Sequence, residues 1–321
     1  MKNFFKLIAP AIDVVALIFI FISALILKLY RRLGAKNLKL STRLLKSIGI
    51  YPVRDHYYEP LFNDNKLRFD LATVRDLPGL NLNIKNQLSF LKNLNFQDNF
   101  EDFLNRQKNR NNVSRFDINN GSFKSGDAEF LFNFLRFIKP KRVIEVGCGA
   151  STKIISAALE ANTAESGEQS KHVCIEPFER PWLEEFPNIE LKREPVECVE
   201  LGIFQDLQPN DLLFIDSSHM IRPQGDVVAE YLKIIPSLGS GVYVHVHDIF
   251  TPRDYLENWI RNKIVFWNEQ YLLEALLTHN PTYEVIAALN FLKHEHYDEL
   301  KKICPHLTHA REPGSFYFRT C

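Results

Sequence analysis

Cysteine is scarce in this chain: five residues among 321, at positions 148, 174, 198, 304 and 321, with no C-x-x-C pair. That density and spacing exclude a disulfide-stapled secreted scaffold and predict reduced thiols of a cytosolic domain. Net charge is also absent, with 39 basic and 39 acidic side chains. The balance is uneven along the chain. Residues 1–54 hold ten Lys or Arg and a single acid, Asp13, which leaves 29 bases and 38 acids in the rest. An acidic body lacks the electrostatic footprint of a nucleic-acid binder.

Polar residues are nearly missing from 14–27, where only Ser23 interrupts the apolar run. Extended to residues 7–29, the stretch also takes in Pro10, Asp13 and Lys28. A bilayer-crossing helix needs about 20 mostly apolar residues. The sequence therefore predicts an N-terminal segment, 1–32, with a transmembrane helix at about 8–29. Lys28, Arg31, Arg32, Lys36, Lys39, Arg43, Lys46 and Arg54 follow the span, whereas only Lys2 and Lys6 precede it. The positive-inside rule then places the C-terminal side in the cytoplasm, a single-pass arrangement. No convincing small-x-small cleavage site suggests a cleaved signal peptide, and the basic cluster lies on the wrong side for export. Residues 33–50 read as a basic amphipathic segment, with Lys36, Lys39, Arg43 and Lys46 on one helical face and Leu33, Leu40, Leu44 and Ile48 on the other. Such a helix suits an anionic leaflet, or packs its leucines on the globular domain. Residues 51–119 form a leader or cap, and 120–321 the main domain.

The third glycine of a dinucleotide fingerprint is missing as well. Residues 143–152, VIEVGCGAST, read as a buried strand, a glycine turn and the start of a helix. Gly147 and Gly149 allow a sharp turn and close approach of a ligand. The next glycine of G-x-G-x-x-G would fall at position 152, which is Thr152. Ser151 or Thr152 can cap the helix. Glu145 is a carboxylate inside an apolar strand, costly without a partner, and a ligand would supply one. A second apolar strand, 173–175, ends at Glu176, where an acid can accept hydrogen bonds from ribose hydroxyls. The polar stretch 162–171 reads as a surface loop. An ordinary βα turn and a helix-capping acid are the plainer readings of the two motifs.

The same rhythm continues along the chain. Helices are expected at 84–94, 98–108, 128–138, 227–235, 253–263 and 269–277. Strands are expected at 189–192, 211–216, 241–248, 283–288 and 314–319, the last two as antiparallel neighbours. Strands alternating with helices predict an α/β, Rossmann-like doubly wound sheet, mostly parallel with an antiparallel edge strand. The glycine turn resembles motif I of class I S-adenosylmethionine-dependent methyltransferases. Five further stretches extend the likeness: SGDAEFL at 125–131, KPKRVIEVG at 139–147, IDSSH at 215–219, VHVHDIF at 244–250 and WNEQYLL at 267–273. Together they resemble the bacterial methyltransferase domain 24 family over about 120–320. YYEP at 57–60 and LPG at 77–79 look like the leader that often precedes it.

The resemblance implies S-adenosyl-L-methionine as cofactor, with Glu145, Gly147, Cys148, Gly149, Ser151, Thr152, Glu176 and Asp216 around it. In a bacterial cell the span would sit in the inner membrane. Asp216, His219, His247 and Asp248 come from two adjacent strand ends, which makes them the candidate catalytic set. Catechol-type O-methyltransferases resemble this layout, and the likeness implies a possible divalent metal on Asp216, His247 and Asp248; histidine there would favour a softer ion than Mg²⁺. Without metal, His219 or His247 could be a general base. His56, Tyr57 and Tyr58 are the next candidates. The leading reading is O-methyl transfer to a hydroxyl of a lipid-linked, saccharide or small-molecule acceptor at the membrane's cytoplasmic face. The rivals are a non-catalytic membrane-anchored interaction module and a nucleotide-binding oxidoreductase. No nucleic-acid partner is expected, and the oligomeric state is not legible.

Overall fold

The computed structural model describes residues 2–55, 59–108, 115–186 and 188–321. The candidates His56, Tyr57 and Tyr58 lie outside the described residues. The chain divides into two compact units, Met1–Asp70 and Leu71–Cys321. The division falls within the 51–119 leader or cap, so that most of it shares the second unit with 120–321.

The first unit opens with a long helix, α1 (Lys2–Leu33), followed by the short helix α2 (Lys39–Ile48). Within α1, Ala9–Leu33 is long and apolar enough to cross a membrane, and none of its apolar window is buried. The basic amphipathic helix is shorter than expected. Gly34, at φ +88°, breaks the chain after Leu33, so Lys36 lies in a turn instead of on the helix.

In the second unit, α3 (Ile84–Leu91) and α4 (Gln97–Lys108) precede α5 (Asp127–Ile138). Then β1 (Arg142–Val146), α6 (Ala150–Ser166), β2 (Lys171–Ile175) and β3 (Ile189–Lys192) follow. The chain continues through α7 (Gly202–Gln205), β4 (Leu212–Ile215), α8 (Asp226–Ala229) and β5 (Tyr243–Val246). It closes with α9 (Glu269–Leu277), β6 (Tyr283–Ala288), α10 (Leu289–Glu295), α11 (Tyr297–Ile303) and β7 (Phe316–Thr320).

Seven strands form one sheet in the order β3-β2-β1-β4-β5-β7-β6. β7 runs antiparallel to both β5 and β6, and the pairs among β1 to β5 are parallel. This is a Rossmann-like doubly wound sheet, mostly parallel, with its reversed strand β7 one place in from the edge and not at the edge itself. The order reverses direction between β1 and β4, and ligands of open α/β sheets bind at the carboxyl ends of strands there.

α5 is buried on nearly all sides, including the polar Glu129, Asn133 and Arg136. α4 lies against it, Phe100 and Phe103 meeting Phe132 at 5.3 and 6.1 Å. The 162–171 loop is also shorter than expected, because α6 runs on to Ser166. Asn162 is buried, donating to Leu135 O at 3.0 Å and accepting from Arg136. Arg136 also pairs with Glu165, so residues that look like loop polarity secure two helices. The helix expected at 253–263 reduces to one wide turn, Asn258–Asn262. The helix expected at 227–235 changes geometry after Ala229, through a π-turn at Glu230–Ile234.

His245 on β5 sits in the core, stacked on Phe214 at 3.9 Å and against Tyr317 at 4.8 Å. Among the described residues neither ring nitrogen has a hydrogen-bond partner. Burial, reinforced by the charge of His247, pushes its pKa well below 6.5. Between the depressed folded value and 6.5 the unfolded chain binds a proton that the folded chain does not, so stability falls as pH falls through that window. The slope is about 1.4 kcal/mol per pH unit. His245→Phe is expected to flatten the dependence of urea-unfolding free energy on pH between about 6.5 and 5.5 by roughly that amount. Parallel curves for the two proteins would refute this assignment.

Candidate functional site

The β1 turn is built so that two backbones nearly touch. Gly147 has φ +78°, and a Cβ there would lie 1.9 Å from the carbonyl oxygen of Asp216, at the end of β4. Val146 O accepts from Asp216 N at 2.9 Å, and Gly147 N donates to Ile175 O at 3.0 Å. Gly149 differs: its backbone is extended at φ −163°, and a Cβ there would meet nothing within 4 Å. α6 starts directly afterwards, with its unpaired backbone N–H groups at this end.

Above the turn lies a cavity of about 720 Å³. Six of the residues singled out from the sequence, Gly147, Cys148, Gly149, Ser151, Glu176 and Asp216, line it together with Phe123, Phe178, Ser217, Ser218 and Arg222. Glu176 accepts from Cys148 N at 3.2 Å, Phe178 N at 3.0 Å and Arg180 Nε at 3.1 Å. These bonds fix the carboxylate and leave it acceptor capacity, since a carboxylate has about four lone-pair sites.

Glu145 has a different place from the one expected. It is fully buried and does not line the cavity. Ser151 Oγ donates to it at 2.7 Å and Thr152 Oγ1 at 3.0 Å, while His172 Nε2 stands 3.0 Å away on β2. The strand acid is therefore satisfied within the protein and anchors the start of α6 to β1. Thr152, likewise fully buried, faces Glu145 rather than the cavity. Cys148 and Cys174 are buried beside it, and burial pushes both thiols up, away from reactive thiolates.

The second feature is a polar cluster at the ends of β4 and β5. His219 is buried. Its Nδ1 lies 2.8 Å from Glu269 Oε2, and its Nε2 lies 3.3 Å from Asp216 Oδ1 and 3.6 Å from Asp248 Oδ2. Trp267 covers the ring at 4.3 Å. Asn268 N and Glu269 N, at the start of α9, both donate to His219 O. His219 and Asp248 have φ of +60° and +58°, a region that non-glycine residues rarely occupy and that clusters at functional sites. Asp127 braces the facing loop by accepting from Gly314 N and Ser315 N at 3.0 and 2.8 Å.

Electrostatics separate the four candidates. Burial opposes charge on His219, but hydrogen bonds to Asp216 and Glu269 outweigh it and hold its pKa well above 6.5. That direction favours the protonated ring and weighs against His219 as a free general base. Burial would raise Asp216, yet the charges of His247 and His219 leave it below the ordinary carboxylate value. Burial lifts Asp248 above that value, against the pull of the two histidines. Burial lowers His247, but Asp248, Asp216 and Asp127 together bring it above 6.5. Its Nε2 is 3.5 Å from Asp248 Oδ1, and the cavity-lining Phe123 stands against its ring at 5.0 Å.

The donor atoms of Asp216, His219 and Asp248 lie within 4.8 Å of one another, so this trio could hold a divalent cation. Among the described residues His219 completes the set, in place of the expected His247. Glu269 on Nδ1 is the arrangement that orients metal-bound imidazoles. Sequence reasoning missed Glu269 altogether. A carboxylate in the first turn of a helix reads as a partner of the helix dipole, and nothing local reveals a histidine fifty positions earlier. Phe123 and Arg222 were missed because both sit in irregular segments.

Residues 144–249, about a third of the chain, match the family model described as Methyltransferase domain. An uncharacterized protein of Archaeoglobus fulgidus is 28% identical over 165 residues, which cover 48% of this chain and 73% of that relative. Among solved structures, a proposed methyltransferase of Thermobifida fusca aligns with 62% of this chain and 83% of its own at 11% identity and a TM-score of 0.37. A proposed protein-L-isoaspartate O-methyltransferase of Plasmodium falciparum, in complex with S-adenosyl-L-homocysteine, aligns with 50% of this chain and 84% of its own at 14% identity and a TM-score of 0.28.

Proposed function

We propose that this S-adenosylmethionine-dependent methyltransferase transfers the methyl group to a hydroxyl of a lipid-linked, saccharide or small-molecule acceptor, and that α1 anchors it in a membrane with the second unit on the cytoplasmic side. The observation that carries the reading is the cavity over the β1–β4 switch point, floored by Gly147 and Gly149 and flanked by Glu176 and Asp216. The methionine end of the cofactor would lie over the glycine turn and the α6 N-terminus, and the ribose hydroxyls would donate to Glu176. Asp216 and Asp248 would face the acceptor. A hydroxyl attacking the sulfonium methyl must lose its proton. In this reading Asp248, made more basic by burial, would take it, while His219, paired with both carboxylates, would hold them in position. The Asp216–His219–Asp248 trio supports a second reading, in which a cation supplies Lewis-acid activation of the acceptor. Loss of turnover in EDTA, restored by a divalent ion, would establish that reading; unchanged turnover would eliminate it.

Cofactor binding is tested by calorimetry on the full chain in detergent. S-adenosylhomocysteine should bind, and Glu176→Ala should weaken it by about 1.5–3 kcal/mol, the scale of hydrogen bonds to a charged group. Tighter binding of NAD than of S-adenosylhomocysteine would sink the proposal. For topology, a reporter fused to the C-terminus should be active only in the cytoplasm. Recovery of a soluble protein lacking its first thirty or so residues would instead mark a cleaved signal. The acceptor class is best approached by untargeted comparison of lipids and metabolites in deletion and wild-type cells.

A further inference from the structure

The end of α1 is joined to α2 by a built elbow. Tyr30, buried near the end of α1, shares a hydrogen bond of 2.7 Å with Thr42 of α2. Thr42 Oγ1 also contacts Leu38 O at 2.9 Å and Ala35 O at 2.8 Å. Gly34, in the left-handed region, makes the turn, and its N–H donates to Tyr30 O at 3.0 Å. Arg31 pairs with Glu59, and Arg54 reaches the same carboxylate at 3.3 Å. α2 is therefore tied to the last turn of a helix apolar enough to cross a bilayer.

No residue of α2 is buried. Leu40, Leu44 and Ile48, spaced four apart, form one row at 80%, 60% and 60% exposure. Lys39, Arg43 and Lys46, also on one face, lie on the far side. α2 carries no acid, and neither do residues 14–54 as a whole. Large apolar side chains left in water beside a row of bases need an environment that is apolar on one side and anionic on the other. The bilayer that α1 would enter supplies both.

We propose that α2 lies in the interface of an anionic bilayer, with Leu40, Leu44 and Ile48 among the acyl chains and Lys39, Arg43 and Lys46 reaching lipid phosphates. This rests on α1 as the membrane anchor. The occupant is a lipid surface because the elbow keeps α2 within a few residues of the membrane boundary and because the charge matches.

The test uses the full chain in nanodiscs of phosphatidylcholine alone, or with three parts in ten phosphatidylglycerol, read by amide hydrogen exchange across 40–48. In the anionic discs exchange should slow about tenfold relative to the neutral ones, as expected when a frayed exposed helix is held. The triple variant Lys39→Gln, Arg43→Gln, Lys46→Gln should lose that difference, and Leu44→Glu should lose it too. Equal exchange of the wild type in the two discs, whether fast or slow, overturns the proposal. Failure of the anchor is read separately, as release of the chain from vesicles by alkaline carbonate. In that event flotation with anionic but not neutral vesicles still supports the role of α2, and flotation with neither overturns it.

Discussion

Gly147→Ala is expected to leave little folded protein, whereas Gly149→Ala, two residues on, should fold normally and lose the cofactor. At Gly147 an added methyl would sit 1.9 Å from the backbone oxygen of Asp216. Neither partner can yield, because Gly147 N and Asp216 N are both bonded across the sheet. The positive φ adds roughly 1–2 kcal/mol for a residue with a Cβ. Separating β1 from β4 to relieve the clash would disrupt the central strand pair. We expect a destabilisation above about 4 kcal/mol, the range reserved for steric and buried polar failures. At Gly149 the methyl meets no protein atom and the backbone is extended, so thermal unfolding should barely change. The methyl would project over the turn where the cofactor should lie, and S-adenosylhomocysteine affinity should drop by about tenfold or more. Circular dichroism melts and calorimetry on both variants decide it. A stable, cofactor-binding Gly147→Ala protein would show that the strand ends are not held as described. Unchanged affinity in Gly149→Ala would place the ligand elsewhere.

The second large effect concerns the acidic cluster. Asp248→Asn and Asp216→Asn should each lower kcat by about 10²–10⁴ with little change in cofactor affinity. The pH profile separates the candidate bases. A neutral histidine acting as base would lose activity as pH falls below about 6.5. With His219 held as an imidazolium and a carboxylate taking the proton, the acid limb should appear at lower pH, as a property of the coupled cluster and not of one residue. His219→Asn should be costly for a different reason, since it leaves the buried Glu269 carboxylate without its partner. It should therefore lower thermal stability as well as kcat, whereas Asp248→Asn should affect chiefly kcat. Full activity in both aspartate variants would make the cluster structural and return attention to His56, Tyr57 and Tyr58.

Much of the sheet is legible in the chain itself. Residues 143–146, 173–175 and 212–215 are short apolar runs next to turns, and such runs have few alternatives to buried parallel strands. The glycine turn and Glu176 follow from their place at strand ends. Helix boundaries were less legible where polar residues bond a partner on another helix. Asn162 and Glu165 look like loop residues until Arg136, on another helix, is seen to bond them. The expected helix at 253–263 lacked a clear cap, and tertiary bonds such as Asp254 N to Leu71 O take its backbone groups instead.

The sequence by itself determined the strand order's broad class, the apolar N-terminal helix and the carboxylates and histidines at the strand ends, because periodicity and local turn chemistry act over a few residues. Only the tertiary structure decided what those side chains do. It turned Glu145 from a ligand candidate into the anchor of α6, brought His219 rather than His247 within reach of both Asp216 and Asp248, and raised the pKa of His219 by setting Asp216 and Glu269 against it. These outcomes depend on which groups the fold brings together, from neighbours a few positions apart to His219 and Glu269, fifty apart. For a buried ionisable group the partner brought by the fold, more than its own chemistry, sets its charge.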